Sequence, residues 1–118
     1  MKVNSFKELI VWKKSIELVN EIYKITKQLP KSETYGLASQ MQRAAVAIPS
    51  NIAEGYRRNH RPEYFQFLSI AISSAAELET QVIICKEQYS EIENLKTESL
   101  LDEVQKMLYS MISKLKDK

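Results

Sequence analysis

A chain of 118 residues, 44% apolar and 27% charged, has the ordinary balance of one globular domain with a single modest core. Only two Gly and three Pro argue against a many-stranded β fold, and a single cysteine, Cys85, excludes an internal disulfide. The net charge of +2 conceals an asymmetry: residues 1–61 carry eleven Lys or Arg against five acids, residues 62–118 six against ten, a polarity that can draw the two halves together, pack two copies unlike-to-unlike, or leave a basic surface for an anionic partner.

The first predicted helix runs from Phe6 to Leu29, with Leu9, Trp12, Ile16, Val19 and Tyr23 recurring at three- and four-residue spacing as its core stripe. Pro30 ends it, and Ser32 or Thr34 is placed to cap the next. The second runs from Tyr35 to Arg58 on a stripe of Leu37, Met41, Ala44, Ile48 and Ile52. Pro49 lies inside it and predicts a kink there, or two shorter helices meeting. The third runs from Arg61 to Tyr89, with Asn59 as cap, Pro62 in its first turn and Tyr64, Leu68, Ala71, Ala75, Leu78, Val82, Cys85 and Tyr89 inward. The fourth opens on the capping-box pattern Ser90-Glu-Ile-Glu93 and runs to Lys116, with Leu101, Val104, Leu108, Met111 and Leu115 inward. A break near Asn94–Thr97 fits its shift of register, and Lys114, Lys116 and Lys118 suit its C-terminal dipole. Four amphipathic helices with short connections predict an all-α, up-down-up-down antiparallel four-helix bundle occupying residues 1–118 as one domain.

Two helices carry more apolar surface than one core needs. Val11, Leu18, Ile22, Ile25 and Leu29 lie about 120–140° around the first helix from its stripe, and Phe65, Ile72, Ala76 and Ile83 form a second line on the third. Either these lines widen a core-facing arc, or they form an oligomer interface. Burying four or five such side chains yields roughly 6–12 kcal/mol, against an association cost of order 4–15 kcal/mol. A closed ring that uses both lines is therefore the favourable arrangement. On this reading Leu18→Asp or Ile72→Asp dissociates the assembly and leaves the helices intact, whereas Ile48→Asp unfolds the subunit.

Enzymatic chemistry finds no support. His60 is the only histidine and stands among Arg57, Arg58 and Arg61; Cys85 falls on a core stripe. There is no Glu-x-x-His pair, phosphate loop or zinc-ligand spacing, so no catalytic residue, metal or cofactor is expected. The opening residues lack a signal-peptide core, and no continuous apolar run reaches the roughly 20 residues of a membrane span, so a cytoplasmic protein with no membrane partner is expected. The segment Tyr56-Arg-Arg-Asn-His-Arg61 is the functional candidate. Arg57, Arg58 and Arg61, with Lys13 and Lys14 on the first helix (Lys2 and Lys7 add charge there), are the expected phosphate contacts for RNA or DNA, and Tyr56 offers a stacking face. The plain alternative is a solvated polar turn.

One stretch is more specific: Ile48-Pro-Ser-Asn-Ile-Ala-Glu-Gly55. With Phe6-Lys-Glu-Leu-Ile-Val-Trp12, Tyr23, Leu29-Pro30, Glu33, Tyr35-Gly-Leu37, Arg43-Ala-Ala45, Glu63-Tyr-Phe65, Phe67-Leu68, Ile70-Ala71, Ser74 and Glu77-Leu-Glu-Thr80, it resembles the 23S rRNA intervening sequence proteins. These are related to the accessory variability determinant of diversity-generating retroelements. Two positions depart from the pattern: Ser73 stands where Gly is common, and His60 where a capping serine is usual. The resemblance implies a four-helix bundle assembled as a homopentamer and a gene placed within ribosomal RNA genes. The retroelement relative implies nucleic-acid binding and makes a reverse transcriptase, or another protein, a candidate partner. Within the motif the alanines allow close helix approach, and Arg43, Asn51 and Glu54 are expected to form a structural network, Arg43 with Glu54 and Asn51 with the backbone, around Pro49. Glu77 or Glu79 is expected to pair with basic residues of the second helix. The leading expectation is a non-enzymatic, homo-oligomeric nucleic-acid-binding scaffold; the alternative is a protein-interaction adaptor with no nucleic-acid ligand.

Overall fold

The four amphipathic stretches form four helices, each joined to the next by a short connection. The computed structural model describes residues 5–116, so Lys2 and Lys118 lie outside it. A 3₁₀ turn (Phe6–Glu8) leads into α1 (Ile10–Thr26); a second 3₁₀ turn (Lys31–Glu33) precedes α2 (Leu37–Arg58); α3 (Arg61–Gln88) and α4 (Leu95–Lys116) follow. α1 packs on α2 and α4, and α3 on α2 and α4, which makes an antiparallel four-helix bundle with chain neighbours side by side. It measures 46 × 23 × 22 Å. The 28 residues of α3 span the long axis at about 1.5 Å each.

Local chemistry sets the helix ends. Neither Ser32 nor Thr34 caps α2; the Glu33 carboxylate does, accepting from the Leu37 N–H at 3.1 Å. α2 continues without interruption through Pro49, so it is one helix and not two. Asn51 Nδ2 donates to the Ala47 carbonyl at 2.7 Å, one turn back, beside the position where proline removes a backbone donor. Only Asn59 and His60 separate α2 from α3. Asn59 does not cap α3: it closes α2 in the left-handed conformation, φ 53°, which Asn tolerates better than most residues. The Ser90–Glu93 capping box does not form either. α4 starts at Leu95, where Glu93 Oε1 accepts the Leu95 N–H at 2.9 Å and Asn94 Nδ2 donates to the Ile92 carbonyl at 2.9 Å. The expected break thus falls before the helix.

The core holds Met41, Ala44, Ile48 and Ile52 of α2, Leu68, Ala71, Ala75, Leu78, Val82 and Cys85 of α3, and Leu101, Val104 and Leu108 of α4, all on the expected stripes. On α1 the expectation is inverted. Val11, Leu18, Ile22 and Ile25, assigned to an oligomer interface, are buried in the subunit's own core; Leu18 and Ile22 have no exposed surface at all. Leu9, Trp12, Ile16 and Val19 are half-buried and Tyr23 is exposed. The aliphatic line fills the interior because it has no polar atom to satisfy, and Ser15, buried on the same face, bonds the Trp12 carbonyl at 2.7 Å. The line with Trp12 and Tyr23 takes the boundary that such amphipathic rings suit. The line on α3 stays near the surface: Ala76 and Ile83 are exposed, Phe65 and Ile72 half-buried. α3 is the one described helix long and apolar enough to cross a membrane, yet its apolar stripe is spent on this core.

At the end of the bundle opposite the α2–α3 turn, a polar strap joins the end of α3 to the turn before α2. Tyr89 Oη donates to Glu33 Oε2 at 2.7 Å, and the same carboxylate caps α2. The Tyr89 hydrogen bond, with the Leu37 N–H, holds the Glu33 carboxyl below its ordinary range, and Lys24 and Lys96 hold Glu21 low in the same way. A carboxylate whose folded pKa is depressed stabilises the fold at pH above its unfolded value, near about 4.3, and that contribution disappears as pH falls through the folded value. Melting temperature is therefore expected to fall below about pH 4, and Glu33→Gln to flatten that acid limb while lowering the neutral-pH plateau. An acid limb identical to wild type would remove Glu33 from this role.

Candidate nucleic-acid interface

The α2–α3 turn brings the arginine cluster to one end of the bundle, and the antiparallel topology delivers two further basic segments there. The N-terminal 3₁₀ turn packs on α2. Arg57 lies over the Phe6 ring at 5.4 Å, and Phe6 meets Trp12 edge to face at 5.4 Å, which connects the turn to Lys13 at the start of α1. The last turn of α4 arrives at the same end, with Lys116 Nζ 6.0 Å from the Phe65 ring centre. Segments 5–17, 50–67 and 104–116, which build this end, hold nine Lys or Arg against four Glu. Tyr56 and Tyr64 pack edge to face beneath the turn at 6.3 Å.

The five expected phosphate ligands fall into two groups. Arg58 is engaged by Glu54 at 3.1 Å and lies over Phe67 at 5.3 Å; Lys14 is drawn toward α4 by Glu103 at 3.6 Å and also meets Glu17 of its own helix at 4.0 Å. Arg57, Arg61 and Lys13 are exposed, and among the described residues none takes an acidic partner. They are the charges free to meet a phosphate. Sequence reasoning assigned Lys114 and Lys116 only to a helix dipole; the fold adds them to this end, and no local signal connects them to residues near position 60.

The structural motif is rearranged. Glu54 pairs with Arg58 one turn away, not with Arg43, because an i,i+4 pair on the same helix is far closer than a partner eleven residues back. Asn51 keeps its backbone bond. Glu77 and Glu79 find no basic partner on α2: Glu77 has no ion pair among the described residues, and Glu79 accepts from Gln105 Nε2 of α4 at 3.2 Å. Gly55 explains the end of the motif. A Cβ there would stand 2.8 Å from Phe67 Cβ and 3.0 Å from Tyr64 Cδ1, so glycine lets α3 approach α2 just beside the arginine turn.

Burial pushes the Cys85 thiol up, with the Glu33 and Glu91 charges adding to it, which disfavours the thiolate. Among the described residues no group of three His, Cys, Asp or Glu is placed to hold a metal ion.

An apolar groove runs along the outside of α1 and α2, lined by Trp12, Ile16, Val19, Val46, Pro49 and Ala53. The α3 line of Phe65, Ile72, Ala76 and Ile83 flanks α4, in register with Glu79 and Lys86, which bond Gln105 and Glu98 of that helix. In a square bundle these two apolar strips lie on opposite edges.

Residues 7–110 match the family described as 23S rRNA-intervening sequence protein. Among solved structures, the chain is similar to a protein of unknown function from the S23 ribosomal protein family of Bacteroides thetaiotaomicron VPI-5482, with 25% identity and a TM-score of 0.76 over 87% of this chain and 98% of that one. No curated protein matches.

Proposed function

We propose, from the premise that this chain belongs to the 23S rRNA-intervening sequence protein family, that it is a non-enzymatic, self-assembling cytoplasmic scaffold that binds RNA or DNA at its basic end. The observation that carries this reading is the convergence of three sequence segments on that end, with Arg57, Arg61 and Lys13 left without acidic partners among the described residues. Lys114 and Lys116 extend the positive surface, while Arg58 and Lys14 serve chiefly as struts. Contacts of this kind read phosphate, not sequence, so binding is salt-dependent and tolerant of base composition.

Self-assembly is supported by the two apolar strips on opposite edges. Different patches on opposite sides join head to tail and close into a ring, for which five copies is the number the resemblance implies. A ring multiplies a weak basic end by avidity. The alternative reading, an adaptor with no nucleic-acid ligand, is favoured by the α1–α2 groove, whose apolar lining suits a partner helix as well as a second copy.

Fluorescence anisotropy with single-stranded RNA, duplex RNA and duplex DNA at low salt tests the proposal. The triple variant Lys13→Ala, Arg57→Ala, Arg61→Ala is expected to weaken binding at least about tenfold and to reduce the salt slope by about 2–3, since each lost phosphate contact removes about 0.7–0.9. Absence of binding to all three probes by the wild-type chain overturns the nucleic-acid reading. A wild-type chain that sediments as a 13.7 kDa particle overturns the assembly.

A further inference from the structure

Away from the basic end, α2 and α3 enclose a groove of about 390 Å³ lined by Gln40, Arg43, Ala44, Ala47, Glu77 and Gln81. Its volume is in the range of small-molecule sites. The groove has an unmet hydrogen-bonding requirement. Gln81 is only 6% exposed, and its Oε1 is fully buried without a hydrogen-bond donor, although native folds rarely leave such an oxygen unpaired. Arg43 on α2 and Glu77 on α3 both line the groove, carry opposite charge, and take no ion-pair partner among the described residues, not even each other. Three polar groups whose ordinary partners are missing thus share one concavity, over a floor of two alanines.

Their charges discriminate among ligands. A phosphate or other simple anion is drawn by Arg43 but repelled by Glu77; a metal cation is drawn by Glu77 but repelled by Arg43, and too few ligating groups surround it. A purely apolar molecule would strip water from a guanidinium, a carboxylate and two amides without return. A small molecule of zero net charge that bears both signs satisfies every wall at once. We propose that this groove binds a free α-amino acid in its zwitterionic form. The ammonium group donates to the Glu77 carboxylate and, once the Gln81 amide rotates its buried oxygen toward the groove, to Gln81 Oε1; the carboxylate accepts from the Arg43 guanidinium, whose planar donors match it in pairs, and from the Gln40 amide. Ala44 and Ala47 leave room for the ligand's side chain. The ligand then joins α2 to α3 midway along their interface and stabilises the bundle by mass action. The site is independent of the basic end and of the nucleic-acid reading.

The full chain, titrated with each of the twenty free amino acids, provides the test, read by melting temperature and by the side-chain amide resonances of Gln81 and Gln40. At least one amino acid is expected to raise the melting temperature and to shift both resonances. Its N-acetyl and α-amide derivatives, which each lack one charge, are expected to do neither. Arg43→Gln and Glu77→Gln, at exposed positions that leave the fold intact, are expected to weaken binding at least about tenfold; Gln81→Leu gives the same loss while filling the buried end with a non-acceptor. The proposal is overturned if no amino acid moves the Gln81 amide, if a capped derivative binds as well as the free form, or if Arg43→Gln binds like wild type.

Discussion

Leu18→Asp is expected to unfold the subunit, not to separate intact copies of it. Leu18 has no exposed surface and stands on the α1 line that, with Val11, Ile22 and Ile25, closes the core. Truncating a buried leucine costs about 2–5 kcal/mol. Adding an unpaired carboxylate costs several more, and no cation lies on the inner face of α1 to receive it. The total is comparable with the whole stability of a domain of this size, about 5–15 kcal/mol. Circular dichroism should show lost helicity, and the cooperative urea transition should vanish. Ile83→Asp provides the contrast. Ile83 is 49% exposed on the α3 strip, so its charge stays hydrated, helicity is retained, and any effect appears as a change of sedimentation coefficient. A Leu18→Asp protein with a wild-type urea transition would mean that the other face of α1 is turned inward.

Gly55→Ala is expected to destabilise, against the usual direction of such a change. In an exposed helix interior alanine is better than glycine by about 1 kcal/mol. Here the new methyl would lie 2.8 Å from Phe67 Cβ and 3.0 Å from Tyr64 Cδ1, with the Tyr64 carbonyl oxygen at 3.5 Å. Phe67 Cβ is fixed to the α3 backbone and cannot swing aside, so α3 must move away from α2. Overpacking of this kind costs about 1–3 kcal/mol, and Gly55→Val should cost more. The midpoint of urea denaturation should fall in that order. The displacement is centred three residues from Arg58 and two from Arg57, so nucleic-acid affinity should fall with stability even though no charge is lost. A higher melting temperature for Gly55→Ala would show that the helices do not approach so closely there.

Much of the molecule was determined by the sequence alone, because helices report themselves locally. Apolar side chains at three- and four-residue spacing mark four amphipathic segments, Pro30 and Pro62 punctuate them, and scarce glycine leaves only short connections. The core faces of α2 and α4 were legible because each has one dominant stripe, and that of α3 because its stripe from Tyr64 to Tyr89 is longer and denser than its second line. The arginine cluster was legible because its residues are adjacent in the chain. α1 shows where this stops. Two apolar lines of similar strength run along it, and periodicity is blind to which one faces the bundle; only contact with α2 and α4 decides, placing the aliphatic line inside and the Trp12 line at the edge. The same limit governs the partners of polar groups. The spacing of Arg43 and Glu54 suggested a pair, but Glu54 is held by Arg58, and Arg43 turns instead to a groove whose other wall, Glu77 and Gln81, belongs to α3. Likewise Lys116 joins Phe65 across the bundle end only because α4 runs antiparallel to α3. Local pattern fixes what each helix can bury, whereas the choice among faces, and the meeting of charges distant in the chain, depends on free energies that exist only once the helices are packed together.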